Sequence, residues 1–220
     1  MSAAPRKRLG RPPAIESAET RQRILTAARR AFAERGYDAT TNKDVAAEVG
    51  ITTGAIYHYF ASKADLYLAV YDEVQDLVYG RFEKAVLTHR RFADRLDAVL
   101  DESVELNRHE PSLAAFVVGV PTEAARHPDL AEWLAPLQAR ARAFFRDMVD
   151  EALAAGEIES GVTAEAVNDV INALLAGLAR QANLVGDPAR HARATEVVKR
   201  LVDGRLLVRK PRRRGTTAAR

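Results

Sequence analysis

Between Thr41 and Lys63 the chain reads TNKDVAAEVGITTGAIYHYFASK. Within 23 residues it gathers threonine hydroxyls, two phenols, an imidazole and two ammonium groups. These are donors for the oxygen acceptors of a phosphate backbone and for the edges of bases. Gly50 divides the segment into two short helical stretches, as in a DNA-reading helix-turn-helix. On that reading Val45, Val49, Ile51, Ile56 and Tyr59 face inward, and Ala46 keeps the helix crossing close. Thr52, Thr53, Tyr57 and His58 then point outward. Thr41, three residues before Asp44, is placed to cap the first stretch, and Gly50 supplies the permissive backbone of the turn.

Other elements must hold that segment in place. Apolar residues recur at spacings of three and four nearly throughout, without sustained alternation, which predicts an all-α chain. Ser17 is placed to cap a helix from Ala18 to Arg35 that ends at Gly36, and Ser62 to cap a long helix from Lys63 to His89. Further helices are expected over 93–108, 112–125 with Pro121 interrupting, 129–155, 163–185 ending at Gly186, and 189–208. The expected organisation is a basic arm (1–17), a three-helix DNA-binding domain (18–66), a helical bundle (67–208) and a basic tail (209–220).

Composition narrows the function. The chain has 220 residues, 47% of them hydrophobic, and no cysteine, so a disulfide framework, a thiolate metal site and a thiol nucleophile are excluded. No stretch has the apolar length of a membrane span or secretion signal, and a cytoplasmic location is expected. The net charge of +3 is unevenly spread. Residues 1–15 supply +4 and residues 205–220 supply +7, so the body between them is acidic, at −8. Attraction to nucleic acid must therefore come from a local face and the arm.

The first 70 residues resemble the TetR family of bacterial transcriptional regulators. The matching pattern is Ile24, Ala27, Ala28, Phe32 and Gly36, then Thr41, Val45, Ala46, Gly50, Ile51, Gly54, Ile56, Tyr57, Tyr59 and Phe60, then Lys63 and Leu66. The resemblance implies DNA contacts at Thr41, Lys43, Thr52, Thr53, Gly54, Tyr57, His58, Tyr59 and Lys63. His58, Thr53 and Lys43 are the ones placed for base edges. It also implies a homodimer on double-stranded operator DNA, released by a small-molecule effector, with no cofactor. The arm's Arg8-Leu9-Gly10-Arg11-Pro12-Pro13 partly resembles an AT-hook, which would put Arg8 and Arg11 in a minor groove. An effector pocket in the bundle would draw on Phe116, Val117, Val120, Trp133, Leu137, Phe144, Phe145, Met148, Leu174 and Leu178, with Arg140 among the polar groups nearby. Core packing accounts for the same stripes. The last two helices are the expected dimer face.

Glu123 and His127, four apart and followed by Asp129, invite a metal reading, but Pro128 argues for a plain helix-ending turn. No metal site is therefore expected. No Ser-His-Asp set, Gly-rich phosphate loop or paired carboxylates can be assembled, which argues against an enzyme. The competing reading is a helical binding module whose DNA contacts are vestigial.

Overall fold

The computed structural model describes residues 13–206, and side chains from residue 17. Ten α-helices follow one another, with no strand among the described residues. They are α1 (Pro13–Ala39), α2 (Asn42–Val49), α3 (Thr53–Tyr57), α4 (Lys63–Val86), α5 (Phe92–His109), α6 (Pro111–Arg126), α7 (Pro128–Leu137), α8 (Ala139–Ala154), α9 (Ala164–Val185) and α10 (Pro188–Val202). Arg8, Arg11 and residues 207–220 lie outside the described residues.

Local chemistry sets most of the boundaries. The Thr41 side chain accepts from the Asp44 amide while Asp44 reaches back to the Thr41 amide, a complete capping box on α2. Thr52, Ser62 and Thr163 cap α3, α4 and α9, each accepting from an amide three residues on. α2 and α9 stop where Gly50 and Gly186 adopt left-handed backbone.

Several boundaries depart from the sequence expectation, among them the ends of α4 at Val86 and α10 at Val202, short of the expected 89 and 208. Ser17 lies inside α1, which begins at Pro13, where a proline suits a first helical turn. Pro121 does not interrupt α6. Its side is exposed, so water can serve the carbonyl left without a donor. The helix expected over 129–155 is two, broken at Gln138. Pro136, two residues earlier, has no N–H and crowds the preceding turn, which weakens the ladder there.

α1 packs on α2, α4 and α6, while α4 runs on to α5, α7 and α8, and α9 and α10 close the bundle against α5, α6 and α8. A single apolar cluster joins Ile24, Phe32, Val45, Ile56 and Leu66 to Phe116, Leu134, Phe145, Ile171 and Leu178. Each large side chain fully buried there contributes roughly 1.5–3 kcal/mol. Within it Tyr67 on α4 stacks edge-on with Phe32 of α1 at 5.0 Å and tilts against Phe116 of α6 at 5.1 Å. Arg29, buried on α1, pairs with Glu110 at 2.8 Å and donates to the Ser112 hydroxyl, tying α1 to the α5–α6 corner. None of the described helices is long and apolar enough to cross a membrane.

Candidate nucleic-acid interface

The α2–α3 pair is built from the inside. Val45 and Ile56 are fully buried, with Ala46, Val49 and Phe60 nearly so, and Ile51 and Tyr59 pack against this group from its rim. Arg23 of α1 donates to the Val49 carbonyl at 2.6 Å, satisfying the end of α2. Anchored this way, the five residues of α3 turn Thr52, Gly54, Tyr57 and His58 to solvent, with Thr53 half-buried beside them. Tyr57 is 54% exposed, so its ring does little packing.

The hydrogen bonds separate outward-facing donors from committed ones. The Thr52 oxygen accepts from the Ala55 amide at 3.2 Å, which leaves its proton to donate outward. Thr41 accepts from the Asp44 amide and donates its proton to the Asp44 carboxylate at 2.7 Å. The Thr41 hydroxyl first, and then the Thr41 amide, both donating to it, hold the Asp44 carboxyl below its ordinary value. Lys63 is also engaged. Its ammonium donates to the Tyr37 carbonyl at 2.9 Å and sits 4.2 Å from the centre of the Tyr37 ring. Thr41 and Lys63 hold the frame, while Lys43, Thr52, Gly54, Tyr57 and His58 face out beside the half-buried Thr53. Tyr59 is half-buried, tilted against Phe60.

The turn that aims this unit centres on Gly36, whose φ of +79° breaks α1. The positive φ favours glycine, and a Cβ there would also lie 2.8 Å from Glu123 Oε1 and push that carboxylate aside. Thr40, fully buried, closes the turn by donating to the carbonyls of Gly36 at 2.8 Å and Ala31 at 3.1 Å. The Tyr37 amide donates to Glu123 Oε1 at 3.3 Å. Burial first, then the carboxylates of Asp38 and Asp65, push the Tyr37 phenol above its ordinary value.

The residues expected to form an effector pocket differ in burial. Phe116, Val120, Phe145, Met148 and Leu178 are buried core, Leu137, Phe144 and Leu174 are half-buried, and Val117 and Trp133 face solvent. Phe144 and Phe145 instead fill an aromatic cluster with Tyr79 and Phe82 of α4. Arg140 is on the surface, paired with Asp76 and Glu83 of α4. One described cleft, of about 430 Å³, lies between α5 and Lys199 and is lined by His89, Asp94, Asp97 and Asp101. Helical periodicity alone gave no sign of it.

α9 and α10 carry a second exposed face. On α9 Val170, Ala173, Gly177 and Leu184 follow one another at helical spacing in solvent, and Val197, Leu201 and Val202 are exposed on α10.

Two family models match. Residues 24–70 match that of bacterial regulatory proteins, tetR family, and residues 92–207, over half of the chain, match that of the BetI-type transcriptional repressor, C-terminal. The transcriptional regulator UidR of Escherichia coli is 26% identical over 195 residues, spanning 87% of this chain and 95% of its own. The repressor KstR2 of Mycolicibacterium smegmatis is 32% identical over 118 residues, 54% of this chain and 56% of its own. A TetR transcriptional regulator from Chloroflexus aurantiacus superimposes with a TM-score of 0.72 at 26% identity, covering 86% of this chain and 96% of that one. FadR of Bacillus subtilis, solved with stearoyl-CoA, shares the fold with a TM-score of 0.74 at 18% identity, over 84% and 99% of the two chains. The chain belongs to the TetR family of bacterial transcriptional regulators, and it is a regulator rather than an enzyme.

Proposed function

We propose that the protein is a homodimeric repressor that reads a palindromic operator in the cytoplasm and is released by a small hydrophobic or amphipathic effector. The observation that carries this is the outer face of α3, where Thr52, Tyr57 and His58 stand in solvent on a helix whose inner face is pinned by fully buried Ile56. One such unit, residues 18–66, covers too little DNA for useful specificity. Two copies on a two-fold axis would set their recognition helices about 34 Å apart, one helical turn of DNA. The apolar face of α9 and α10 suits the subunit contact, as a four-helix bundle across the axis. Arg8 and Arg11 of the arm would enter the adjoining minor groove. The effector would enter residues 67–208 beside the aromatic cluster of α4 and α8, and it acts by fitting one spacing of the recognition helices better than the other.

The test is fluorescence anisotropy with the DNA flanking the protein's own gene and a scrambled control. Specific binding tighter than control by about 10³-fold or more is expected, with affinity falling as salt rises. His58→Ala should narrow that ratio, at a cost of about 1–3 kcal/mol on the true site if the imidazole reads a base edge. Equal affinity for both DNAs at low salt would favour the helical binding module instead.

A further inference from the structure

We propose that Asp38, Glu123 and His127 form a site for a divalent transition-metal ion that clamps the end of α1 to the α6–α7 corner. The inference stands apart from the DNA-binding reading, since none of its three residues is among the outward-facing groups of α2 and α3. Asp38 follows that turn, Glu123 is in the last turns of α6, and His127 is the residue between α6 and α7. One ligand atom from each lies within 4.8 Å of the others. His127 Nε2 is 3.1 Å from Asp38 Oδ1 and 3.9 Å from Glu123 Oε2. Ligands bound at about 2.0–2.2 Å to one ion lie roughly 3.0–3.5 Å apart, so small side-chain adjustments complete the geometry.

Two independent features point into the gap between these groups. Glu123 is 7% exposed, and its Oε2 is buried without a hydrogen bond while Oε1 takes the Tyr37 amide. His127 Nε2 is likewise buried without a hydrogen bond, although Asp38 is within reach. A buried carboxylate without a counter-charge is costly. Among the described residues neither Asp38 nor Glu123 pairs with a lysine or arginine, and the nearby Lys63 donates to the backbone carbonyls of Tyr37 and Asp38. A dication would neutralise both carboxylates and give Nε2 and Oε2 their missing partner. The plain helix-ending turn is present too, with the His127 amide bonded to the Glu123 carbonyl, but it uses neither side-chain atom. One imidazole and two carboxylates suit Zn²⁺, Co²⁺ or Mn²⁺ better than Mg²⁺, which prefers oxygen and retained water.

The experiment is isothermal titration calorimetry of chelator-treated full-length protein with Zn²⁺, repeated with Mg²⁺, together with the visible spectrum of the Co²⁺-loaded protein. One Zn²⁺ per chain is expected, with an imidazole-type Co²⁺ spectrum and no competition from Mg²⁺. Asp38→Asn and His127→Gln should each weaken Zn²⁺ binding by about tenfold or more. Asp38 is largely exposed, so its variant keeps the fold, checked by circular dichroism. Zn²⁺ binding that survives both substitutions places the ion elsewhere and overturns the proposal. Absence of binding at roughly 100-fold excess of Zn²⁺ also overturns it.

Discussion

The outer face of α3 and the outer face of α9 are exposed to nearly the same degree, Tyr57 at 54% and Val170 at 58%, yet they are chemically opposite. The α3 face is hydroxyl, phenol and imidazole on a helix whose cap leaves the Thr52 proton free to donate. It gains by meeting acceptors, and water satisfies it in their absence. The α9 face is valine, leucine, alanine and glycine, and every exposed apolar group there costs free energy until another apolar surface covers it. Exposure therefore says only that a partner is possible, and the chemistry of the exposed groups says which kind.

The comparison can be broken most severely at α9. Val170→Arg places a charge in the proposed subunit contact, where an unpaired charge costs several kcal/mol if it stays buried. The variant should sediment as a monomer and lose operator affinity while α3 is untouched. An intact dimer with full affinity would mean that the α9 face is covered by something other than a second chain. Tyr57→Ala, on the other face, should lower operator affinity by about 1–2 kcal/mol, in the range of a single lost contact to a charged group, and leave the melting temperature unchanged. A fall in melting temperature without loss of DNA binding would make the ring a packing group.

The smallest effect contrasts the outer side of α10 with its inner side. His191 is buried there with Nδ1 unpaired, and burial lowers its pKa below the ordinary value of about 6.5. The unfolded chain then takes up a proton near pH 6.5 that the folded chain refuses. Stability should be level above that pH and decline as pH falls toward the folded value. In His191→Leu the decline between pH 7 and 5 should be shallower, read from melting temperatures against pH. Parallel curves for the two proteins would mean that His191 is accessible to water and protons in the fold.

The helix-turn-helix was legible because its determinants are close in sequence. Thr41 with Asp44, Ser62 with Asp65 and Gly50 at the turn are local chemistry, and each does what its spacing implies. The roles that sequence hid arise from distant partners. Lys63 is 26 residues from the Tyr37 carbonyl it holds, and Glu123 is 86 from the Tyr37 amide. No periodicity records such pairs, so nothing in the sequence tied Lys63 or Glu123 to the Tyr37 backbone. The apolar stripes of the bundle were ambiguous for another reason. An apolar stripe states which side of a helix faces inward, but Phe145 and Met148 show that the inward side can be filled by neighbours rather than by a ligand. Pro136 was legible as a residue, but whether a proline bends or ends a helix depends on what packs around it.

One apolar cluster joins α1 to α6 and α9. Close-packed interiors resist compression, so α1 and α6 behave as members of one stiff frame rather than plates on a hinge. Phe32, Tyr67 and Phe116 stand ring to ring across that frame, so a change in the packing of α6 would be felt at α1.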